Sequence, residues 1–463
     1  SYTDRINLDL DASFGPASIS TPMCKETWAV IEPEGLPNAV DRALRVATTP
    51  PFGPVHIAVY DKMLGNQQVT AEIIDSGSRK IRSGFASDDD LQRIVTALDE
   101  AENPLLYVGD GIWKSGGSQL ASEFASHFGV PIASPETDLR GITLKHPHHM
   151  GMFNSAINEV DPDVIVSIGT RHQGSGKKED IDSLKGVRHV HAIGSGLEYI
   201  KNYPGLSTAV IADERDSLSR MLDIARADYK ADRYENRRSQ TLKSARGSRE
   251  NRRTGLMGSP IPNKVRPAVL VDTIDEVLEN IGGGFITNEQ FAAPYDSVKF
   301  GLSERNNTFL KGAGGSEGWG VGAAIGAKLA ADKSPVIGLV GDGSLYYADS
   351  GLWTAVHHNI PLLYVISNNE AYGIVAGAFG RSGGTMSDTG VYEGVVLDGI
   401  DPVKIADAFG LEAETVENED SIQETFDRAL TIVQEEKRPY LLDVRLPLGL
   451  PEGGSGNQTF KMR

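Results

Sequence analysis

Two polar clusters near the carboxyl end of the sequence carry residue types that bind a divalent cation. Asp342 lies in a Gly-Asp-Gly turn directly after an apolar run, and Asn369 lies in an Asn-Asn pair after the next such run. Parallel strands bring their carboxyl ends to one edge of a sheet, so these side chains are expected to meet there, beside the backbone carbonyl of Ala371. Mg²⁺ prefers six oxygen ligands and accepts phosphate oxygens and water among them. The spacing predicts that Asp342, Asn369 and Ala371 hold Mg²⁺ together with a diphosphate.

The glycines beside Asp342 suit the approach of a phosphate. Gly341 and Gly343 carry no side chain, and the amides of Gly343 and Ser344 open the next predicted helix, whose amino terminus attracts anions. A second Gly-Asp-Gly occurs at 109–111, but the position 27 residues after its aspartate is Thr137, with no asparagine pair nearby. The first copy is therefore interpreted as an ordinary strand-end turn.

The elements that must position these residues are those of an α/β protein. Apolar β-rich runs alternate with helical patterns almost throughout, which predicts doubly wound parallel sheets in three layers. The predicted strands are 55–60, 105–108, 164–168, 187–193, 336–340 and 362–366, and the clearest helices are 36–47, 88–101 and 265–280. A polar segment at 67–87 and a basic run at 226–253 predict three units with bounds 1–85, 86–255 and 256–463.

The composition of the chain narrows the classes of molecule that it is expected to bind. The 463 residues include 45 Lys and Arg against 63 Asp and Glu, a formal charge of −18, which opposes nucleic acid and anionic membranes as partners. Cys24 is the single cysteine, so no internal disulfide forms and a cytoplasmic location is expected. The basic run is interpreted as a solvated helix and linker, the alternative being an anion site for a phosphorylated or CoA-type ligand.

The block from 334 to 373 resembles the thiamine diphosphate (ThDP) enzymes, whose Gly-Asp-Gly motif precedes an asparagine pair by some two dozen residues. Here 24 residues separate Gly343 from Asn368. Similarity to the decarboxylase and acetolactate synthase group of that superfamily covers nearly the whole chain. Residues 21–64 look like the end of its pyrimidine-binding (PYR) domain, 88–225 like its central domain, and those from 262 onward like its diphosphate-binding domain.

The resemblance implies ThDP and Mg²⁺ as cofactors and assigns a binding site. Segment 285–293 (FITNEQFAA) looks like the strand and loop that contact the diphosphate, and segment 314–327 (GGSEGWGVGAAIGA) like the glycine-rich helix start beside the cofactor rings. The implied cofactor-binding residues are Asn288, Glu289, Gln290, Gly315, Ser316, Glu317, Gly341, Asp342, Gly343, Ser344, Asn369, Ala371, Tyr372, Gly373 and Ile374.

Glu317 is a departure from the family pattern. The family places a bulky apolar residue there, under the bent cofactor. We expect Glu317 to be a catalytic proton-transfer group, because a carboxyl desolvated beside the cofactor would have a raised pKa. The alternative is that Glu317 points away and Trp319 or Leu310 supplies the apolar support.

The first part of the family's PYR domain, which carries its catalytic glutamate, has no counterpart in this sequence. We expect a second polypeptide to supply it, or the chain to be a cleaved or truncated product. Because family active sites form between subunits, the resemblance also implies a homo- or hetero-oligomer, a dimer or tetramer.

The resemblance leaves the reaction open among related chemistries. The segment from Gly343 to Pro361 is closest to benzoylformate decarboxylase, which favours a 2-oxo acid decarboxylase or aldehyde lyase. The alternatives are a 2-hydroxyacyl-CoA lyase, an acetolactate synthase-like carboligase, and a ThDP-binding subunit that is non-catalytic or regulatory. The substrate would be a small 2-oxo acid, an aldehyde or an acyl-CoA. Small residues at 376–378 fit either a pocket for a bulky acyl group or ordinary helix packing. The glycine-rich carboxyl-terminal tail either forms a lid over the active site or remains loose.

Overall fold

Parallel sheets organise the protein, as a computed structural model shows. The structure describes residues 20–59, 61–66, 68–73, 81, 83–135, 141–172, 178, 182–293, 307–312 and 317–449. Within these ranges the strands form one two-stranded and two six-stranded sheets, and every strand pair within them is parallel. Helices cover both faces of the two large sheets, which confirms the predicted three-layer α/β class. In the described part, no helix is both long and apolar enough to span a bilayer.

The amino-terminal sheet is small and thinly covered. Strands β1 (Glu26–Val30) and β2 (Val55–Val59) pair in parallel through the crossover helix α1 (Leu36–Ala47). Within this unit of two strands and one helix, Val30 and Ala43 are the buried apolar residues. Helix α1 leaves much of its apolar side in solvent.

The central sheet follows the predicted alternation. Its strands run in the order β5-β4-β3-β6-β7-β8. They are β3 (Pro104–Val108), β4 (Ile132–Ser134), β5 (His149–Met152), β6 (Val164–Ile168), β7 (His189–Gly194) and β8 (Leu206–Ile211). The helices are α2 (Asp88–Glu100), α3 (Asp110–Ser115), α4 (Ser118–Phe128), α5 (Phe153–Val160) and α6 (Glu214–Asp228). Successive residues of β6 enter opposite cores, so its unbroken apolar run reflects burial on both faces.

The basic run forms helix α7 (Glu235–Met257), and most of its arginines are not simply solvated as the sequence suggested. Arg237 donates to the carbonyl oxygens of Leu98, at 3.1 Å, and Ala101, at 2.5 Å, which end α2. Arg238 and Arg252 likewise bind carbonyl oxygens of the central unit. Cations suit the positions of Arg237 and Arg238 because the last carbonyls of a helix lack intrahelical partners, whereas Arg252 binds the carbonyl of Met150 in β5. These arginines therefore secure α7 to the central unit, which weakens the anion-site alternative.

The first Gly-Asp-Gly turn joins β3 to α3 and is closely packed. The carboxylate of Asp110 is buried and contacts two cations, Lys114 Nζ at 2.7 Å and Arg171 Nη1 at 3.2 Å. A Cβ on Gly111 would lie 2.7 Å from Gly169 Cα, in the turn after β6. Two cations therefore pair with the buried aspartate, and the turn packs closely against backbone at the end of β6. Both observations agree with the interpretation of the first Gly-Asp-Gly as an ordinary strand-end turn.

Replacing Gly111 with alanine should destabilise the chain by about 1–3 kcal/mol, since the added methyl group meets backbone that must move away. Gly247 in α7 is the matched control, because a Cβ there meets nothing within 4 Å. The Gly247→Ala change should stabilise by about 0.5–1 kcal/mol through helix propensity. Urea unfolding of both variants checks this, and equal midpoints would contradict the packing argument.

The carboxyl-terminal sheet has the order β10-β9-β11-β12-β14-β13. Its strands are β9 (Gly284–Glu289), β10 (Asn307–Lys311), β11 (Val336–Gly341), β12 (Leu363–Asn368), β13 (Ala413–Val416) and β14 (Tyr440–Arg445). The helices are α8 (Pro267–Asn280), α9 (Gly320–Ala331), α10 (Asp342–Ala348), α11 (Gly351–His357), α12 (Gly373–Ser382), α13 (Thr385–Thr389), α14 (Pro402–Ala408) and α15 (Ile422–Glu435). Strand order reverses between β9 and β11, and such a switch point opens a crevice at the carboxyl edge.

Candidate functional site

Three neighbouring strands deliver polar residues to this crevice. Gln290 follows β9, Asp342 follows β11, and Asn369 follows β12. They line a cavity of about 160 Å³ that is open to solvent. The cavity brings together most of the residues singled out in the sequence: Gln290, Glu317, Gly341, Asp342, Gly343, Ser344, Asn369, Ala371, Tyr372, Gly373 and Ile374. Gly315 and Ser316 lie outside the described residues, as does the tail after Gly449.

Asp342 is the buried charge of the site. Its side chain is 2% exposed, and burial raises its pKa to about 7 although the backbone amides of Gly343 and Asn369 donate to the carboxylate. The neighbouring carboxylate of Asp443 also raises this pKa. Among the described residues, Asp342 Oδ2 has no hydrogen-bond partner. A buried, unpartnered carboxylate oxygen is costly unless a cation neutralises it, so this atom fits a metal ligand.

Asn369 and Ala371 supply the other two expected oxygens. The Nδ2 group of Asn369 donates to the carbonyl oxygen of Gly449 at 2.5 Å, which leaves Oδ1 on the opposite side of the amide. The Ala371 carbonyl accepts one hydrogen bond, from Gly373 N at 2.8 Å, and keeps a second lone pair. A carboxylate, an amide oxygen and a carbonyl oxygen are the donor set of a hard cation. No group of three His, Cys, Asp or Glu residues in the described ranges forms a competing metal centre.

A charged network that the sequence reasoning missed lies behind this turn. Asp443 on β14 is fully buried and accepts a hydrogen bond from Asn368 Nδ2 at 2.8 Å. Arg445 contacts Asp443 Oδ2 at 2.9 Å and Glu370 Oε1 at 3.2 Å. Glu370 itself has a left-handed backbone, with φ of 54°. Burial raises the pKa of Asp443 to about 6. An Asp and an Arg in the otherwise apolar run of the last strand were the available sequence signal.

The mouth of the cavity is apolar and aromatic. Tyr347 is 61% exposed, and its ring centroid lies 6.1 Å from that of Tyr372. Ile374 and Val375, each 43% exposed, also line the cavity, as does Phe291. Tyr347 and Val375 were not anticipated from the sequence, and Phe291 was anticipated only as part of segment 285–293, which was expected to contact the diphosphate. Together they form a rim suited to an apolar or aromatic group.

The segment at 288–289 is placed differently from the other expected residues. Asn288 Oδ1 accepts a hydrogen bond from Gln290 Nε2 at 2.9 Å. Glu289 accepts hydrogen bonds from the backbone amides of Gly318 and Gly320. Both side chains are buried and neither lines the cavity, so any effect on a cofactor would pass through their neighbours.

Glu317 is exposed and lines the cavity. Neither alternative source of apolar support, Trp319 or Leu310, contributes to the cavity wall, and a Cβ on Gly312 would touch the Trp319 indole. Glu317 therefore borders the cavity, but it is exposed to solvent and not desolvated as the sequence argument expected.

The small residues of α12 are explained by packing. Ala376 and Gly377 are buried, and Ala376 packs with Tyr392 and Val395 in a local core. None of the residues at 376–378 lines the cavity, so of the two interpretations the structure favours helix packing.

Comparison with known proteins gives the family. The model described as "Thiamine pyrophosphate enzyme, central domain" matches residues 91–221, and "Thiamine pyrophosphate enzyme, C-terminal TPP binding domain" matches 292–444. The chain belongs to the thiamine pyrophosphate enzymes. It is therefore an enzyme polypeptide of this family, and thiamine pyrophosphate, the same molecule as ThDP, is the cofactor that the family binds.

Individual relatives of this thiamine pyrophosphate enzyme carry out more than one reaction. An acetolactate synthase of Arthrospira platensis is 25% identical over 92% of this chain and 73% of its own length. Benzoylformate decarboxylase of Pseudomonas aeruginosa is 23% identical over 94% of this chain and 78% of its own length. The benzoylformate decarboxylase structure from Polynucleobacter necessarius has a TM-score of 0.74 at 20% identity, covering 96% of this chain and 80% of that one, and shows the shared fold.

The chain covers less of some other relatives. It spans 57% of the acetolactate synthase large subunit of Corynebacterium glutamicum and 61% of that of Lactococcus lactis. Synthases and decarboxylases are similarly close, so the comparisons establish the family and leave the reaction to the chemistry of the site.

Proposed function

We propose that this chain carries the cofactor site of a ThDP- and Mg²⁺-dependent enzyme that breaks or forms a carbon–carbon bond next to a carbonyl. The favoured reaction is cleavage of a small 2-oxo acid by a decarboxylase or aldehyde lyase of benzoylformate decarboxylase type. The observation that carries the proposal is the buried, unpartnered Oδ2 of Asp342 beside Asn369 at the switch point of the sheet. The proposed compartment is the cytoplasm, in keeping with a single free cysteine.

Each group of residues at the cavity would have a specific role in binding the cofactors or the substrate. Asp342, Asn369 Oδ1 and the Ala371 carbonyl would hold Mg²⁺, and Gly341, Gly343 and Ser344 would let a diphosphate approach the backbone. When bound, ThDP supplies an electron sink for the carbanion left as the bond beside the carbonyl breaks. Tyr347 and Ile374 would shield the reacting carbonyl from bulk water. The aromatic rim supports an aromatic or bulky acyl group.

Glu317 is proposed as the group that transfers a proton at the reacting carbon. Glu317→Gln keeps the size of the side chain but removes its acid–base function, so kcat should fall about 100-fold. The ThDP dissociation constant should change less than about threefold, because the substituted group binds neither metal nor diphosphate. Steady-state kinetics with benzoylformate and a ThDP titration by fluorescence quenching measure both quantities. An unchanged kcat would remove Glu317 from the mechanism.

Product analysis separates the candidate reactions. The purified chain with its native partners, ThDP and Mg²⁺ should convert benzoylformate to benzaldehyde and CO₂. With pyruvate, an acetolactate synthase-like carboligase would instead give acetolactate, and the two acetolactate synthases of similar identity favour that as the second candidate. A 2-hydroxyacyl-CoA lyase has less support, because Arg237, Arg238 and Arg252 already bind backbone carbonyls. ThDP binding without turnover of any substrate would indicate a non-catalytic or regulatory subunit.

We also propose that the working enzyme is an oligomer in which a second polypeptide completes the PYR unit. Support comes from the thin cover of the amino-terminal unit, where Val40 of α1 is 41% exposed. Exposed apolar residues, among them Tyr347 at the cavity and Phe379 on α12, suit the approach of another subunit. Native mass spectrometry should show a dimer or tetramer containing ThDP and a second chain, whereas a monomer would contradict the proposal.

A further inference from the structure

Glu289 is a buried carboxylate with no assigned role in the proposed chemistry. It is the last residue of β9 and is 3% exposed. Its two oxygens accept from two different backbone donors, Oε1 from Gly318 N and Oε2 from Gly320 N. A carboxylate with both oxygens so engaged is held in one orientation and in turn holds both donors.

The two donors flank Trp319, the N-cap residue of helix α9, which has no other side-chain cap. Its N-cap residue, Trp319, makes no capping hydrogen bond, and no acidic residue lies in its first turn. The free amides of a helix amino terminus require acceptors, and a carboxylate is the strongest of these. Glu289, from a neighbouring strand, takes the place of a local cap.

The glycines of this segment are required by the close approach of the carboxylate. A Cβ on Gly320 would lie 2.6 Å from Glu289 Oε2. Gly318 has φ of 97°, a conformation that other residues rarely adopt. Glu317 directly precedes Gly318, so the backbone that Glu289 holds is the backbone that presents Glu317 to the cavity.

We propose that Glu289 is a positioning residue, whose carboxylate fixes the backbone from Gly318 to Gly320 and thereby holds Glu317 at the cavity wall. The catalytic part of this inference rests on the proposed function of Glu317, whereas the backbone part does not. The same contact occupies the Gly320 amide of α9, so that donor is not left for a diphosphate. Burial raises the pKa of Glu289, and the nearby Glu317 carboxylate adds to this, whereas hydrogen bonds from the two amides and from the Ser344 hydroxyl lower it.

Hydrogen–deuterium exchange on the full chain without cofactor tests the backbone part. Glu289→Gln replaces one acceptor oxygen by an NH₂ group that faces an N–H donor. Exchange in peptides covering 317–323 should therefore become at least about 10-fold faster. Glu289→Asp keeps the charge on a shorter stem and should show a smaller increase. Gly322→Ala is the control on the same helix, since a Cβ there meets nothing within 4 Å, and exchange should not accelerate. Unchanged exchange in Glu289→Gln, or acceleration spread over the whole sheet, would overturn the proposal.

Kinetics of the loaded enzyme test the catalytic part separately. Glu289→Gln should lower kcat while changing the ThDP dissociation constant less than about threefold. Combined with Glu317→Gln it should cause little further loss, because the two residues act through one group. Glu289→Asp should restore part of kcat. A large change in ThDP affinity without faster exchange would mean that the carboxylate acts on the cofactor directly, which overturns the assignment. If Glu317→Gln is fully active while Glu289→Gln still accelerates exchange, the proposed function of Glu317 fails. The proposal that Glu289 fixes the backbone from Gly318 to Gly320 then still stands.

Discussion

Asp342→Asn should lower the affinity for Mg²⁺ and ThDP by at least about 100-fold. Loss of a buried charge partner costs about 3–5 kcal/mol, and each 1.4 kcal/mol is a factor of ten in affinity. The variant keeps the shape of the side chain and can still accept from the amides of Gly343 and Asn369. The fold should therefore survive, so the loss reports the missing charge. Isothermal titration of ThDP in the presence of Mg²⁺ measures it.

The same change should stabilise the metal-free chain at pH 8. The pKa of Asp342 is raised from 3.8 to about 7 in the folded chain, so between these values the native state binds more protons than the unfolded state. Stability therefore falls as pH rises through this window, and the loss is complete above pH 7. Removing the ionisable group should raise the free energy of unfolding by on the order of 2–4 kcal/mol at pH 8 and change it little at pH 4. Asp443, with a pKa raised to about 6, contributes in the same direction and remains in the variant.

Thermal unfolding with and without Mg²⁺ and ThDP separates these effects. Ligands should raise the Tm of the natural chain most at pH 8, where Asp342 is ionised, and should leave the variant almost unchanged. A variant that still gains stability from Mg²⁺ and ThDP would show that Asp342 is not the principal ligand.

Gly343→Ala should disable the site by steric means. A Cβ on Gly343 would lie 2.6 Å from Tyr372 Cε1, so the Tyr372 ring must move away from the start of α10. Tyr372 is one residue from the proposed ligand Ala371, and its amide binds Val395 O at 2.9 Å. We expect ThDP affinity to fall about 10- to 100-fold and stability to fall by about 1–3 kcal/mol.

Gly341 offers a matched control two residues away. The nearest atoms to a Cβ there lie at 3.6 Å, which is ordinary contact, and its backbone is extended. Gly341→Ala should therefore leave the stability of the cofactor-free chain within about 0.5 kcal/mol. Urea unfolding and ThDP titration of both variants give the comparison. Equal stability of the two alanine variants would contradict the steric explanation.

The local parts of the site were predictable from the sequence because they depend on neighbouring residues. The runs at 336–340 and 362–366 are apolar and bounded by turns, so they were recognisable as buried strands, and both are present with slightly later ends. Their adjacency places Asp342 and Asn369 together, which is the main geometric requirement. The motif spacing also distinguished this turn from the first Gly-Asp-Gly, whose aspartate contacts Lys114 and Arg171.

The distant parts were not predictable, since they depend on strand order and side-chain direction. Asp443 reaches Asn368 because β14 lies beside β12, a pairing that no local pattern specifies. Glu289 was expected near the diphosphate, but its side chain turns toward the start of α9, and only the packed backbone determines that direction. The arginines of α7 similarly find carbonyl partners that a charge pattern cannot identify.

The hydrogen bonds between Asn369 and Gly449 make a mechanical linkage. Asn369 donates through Nδ2 to the Gly449 carbonyl, and its own carbonyl accepts from Gly449 N at 3.0 Å. A force applied to the polypeptide beyond Gly449 is thus transmitted to the side-chain amide of Asn369, whose oxygen is a proposed metal ligand. For this reason a surface tether under load on that side would pull on the proposed cofactor site, and immobilisation of an active enzyme should use another attachment point.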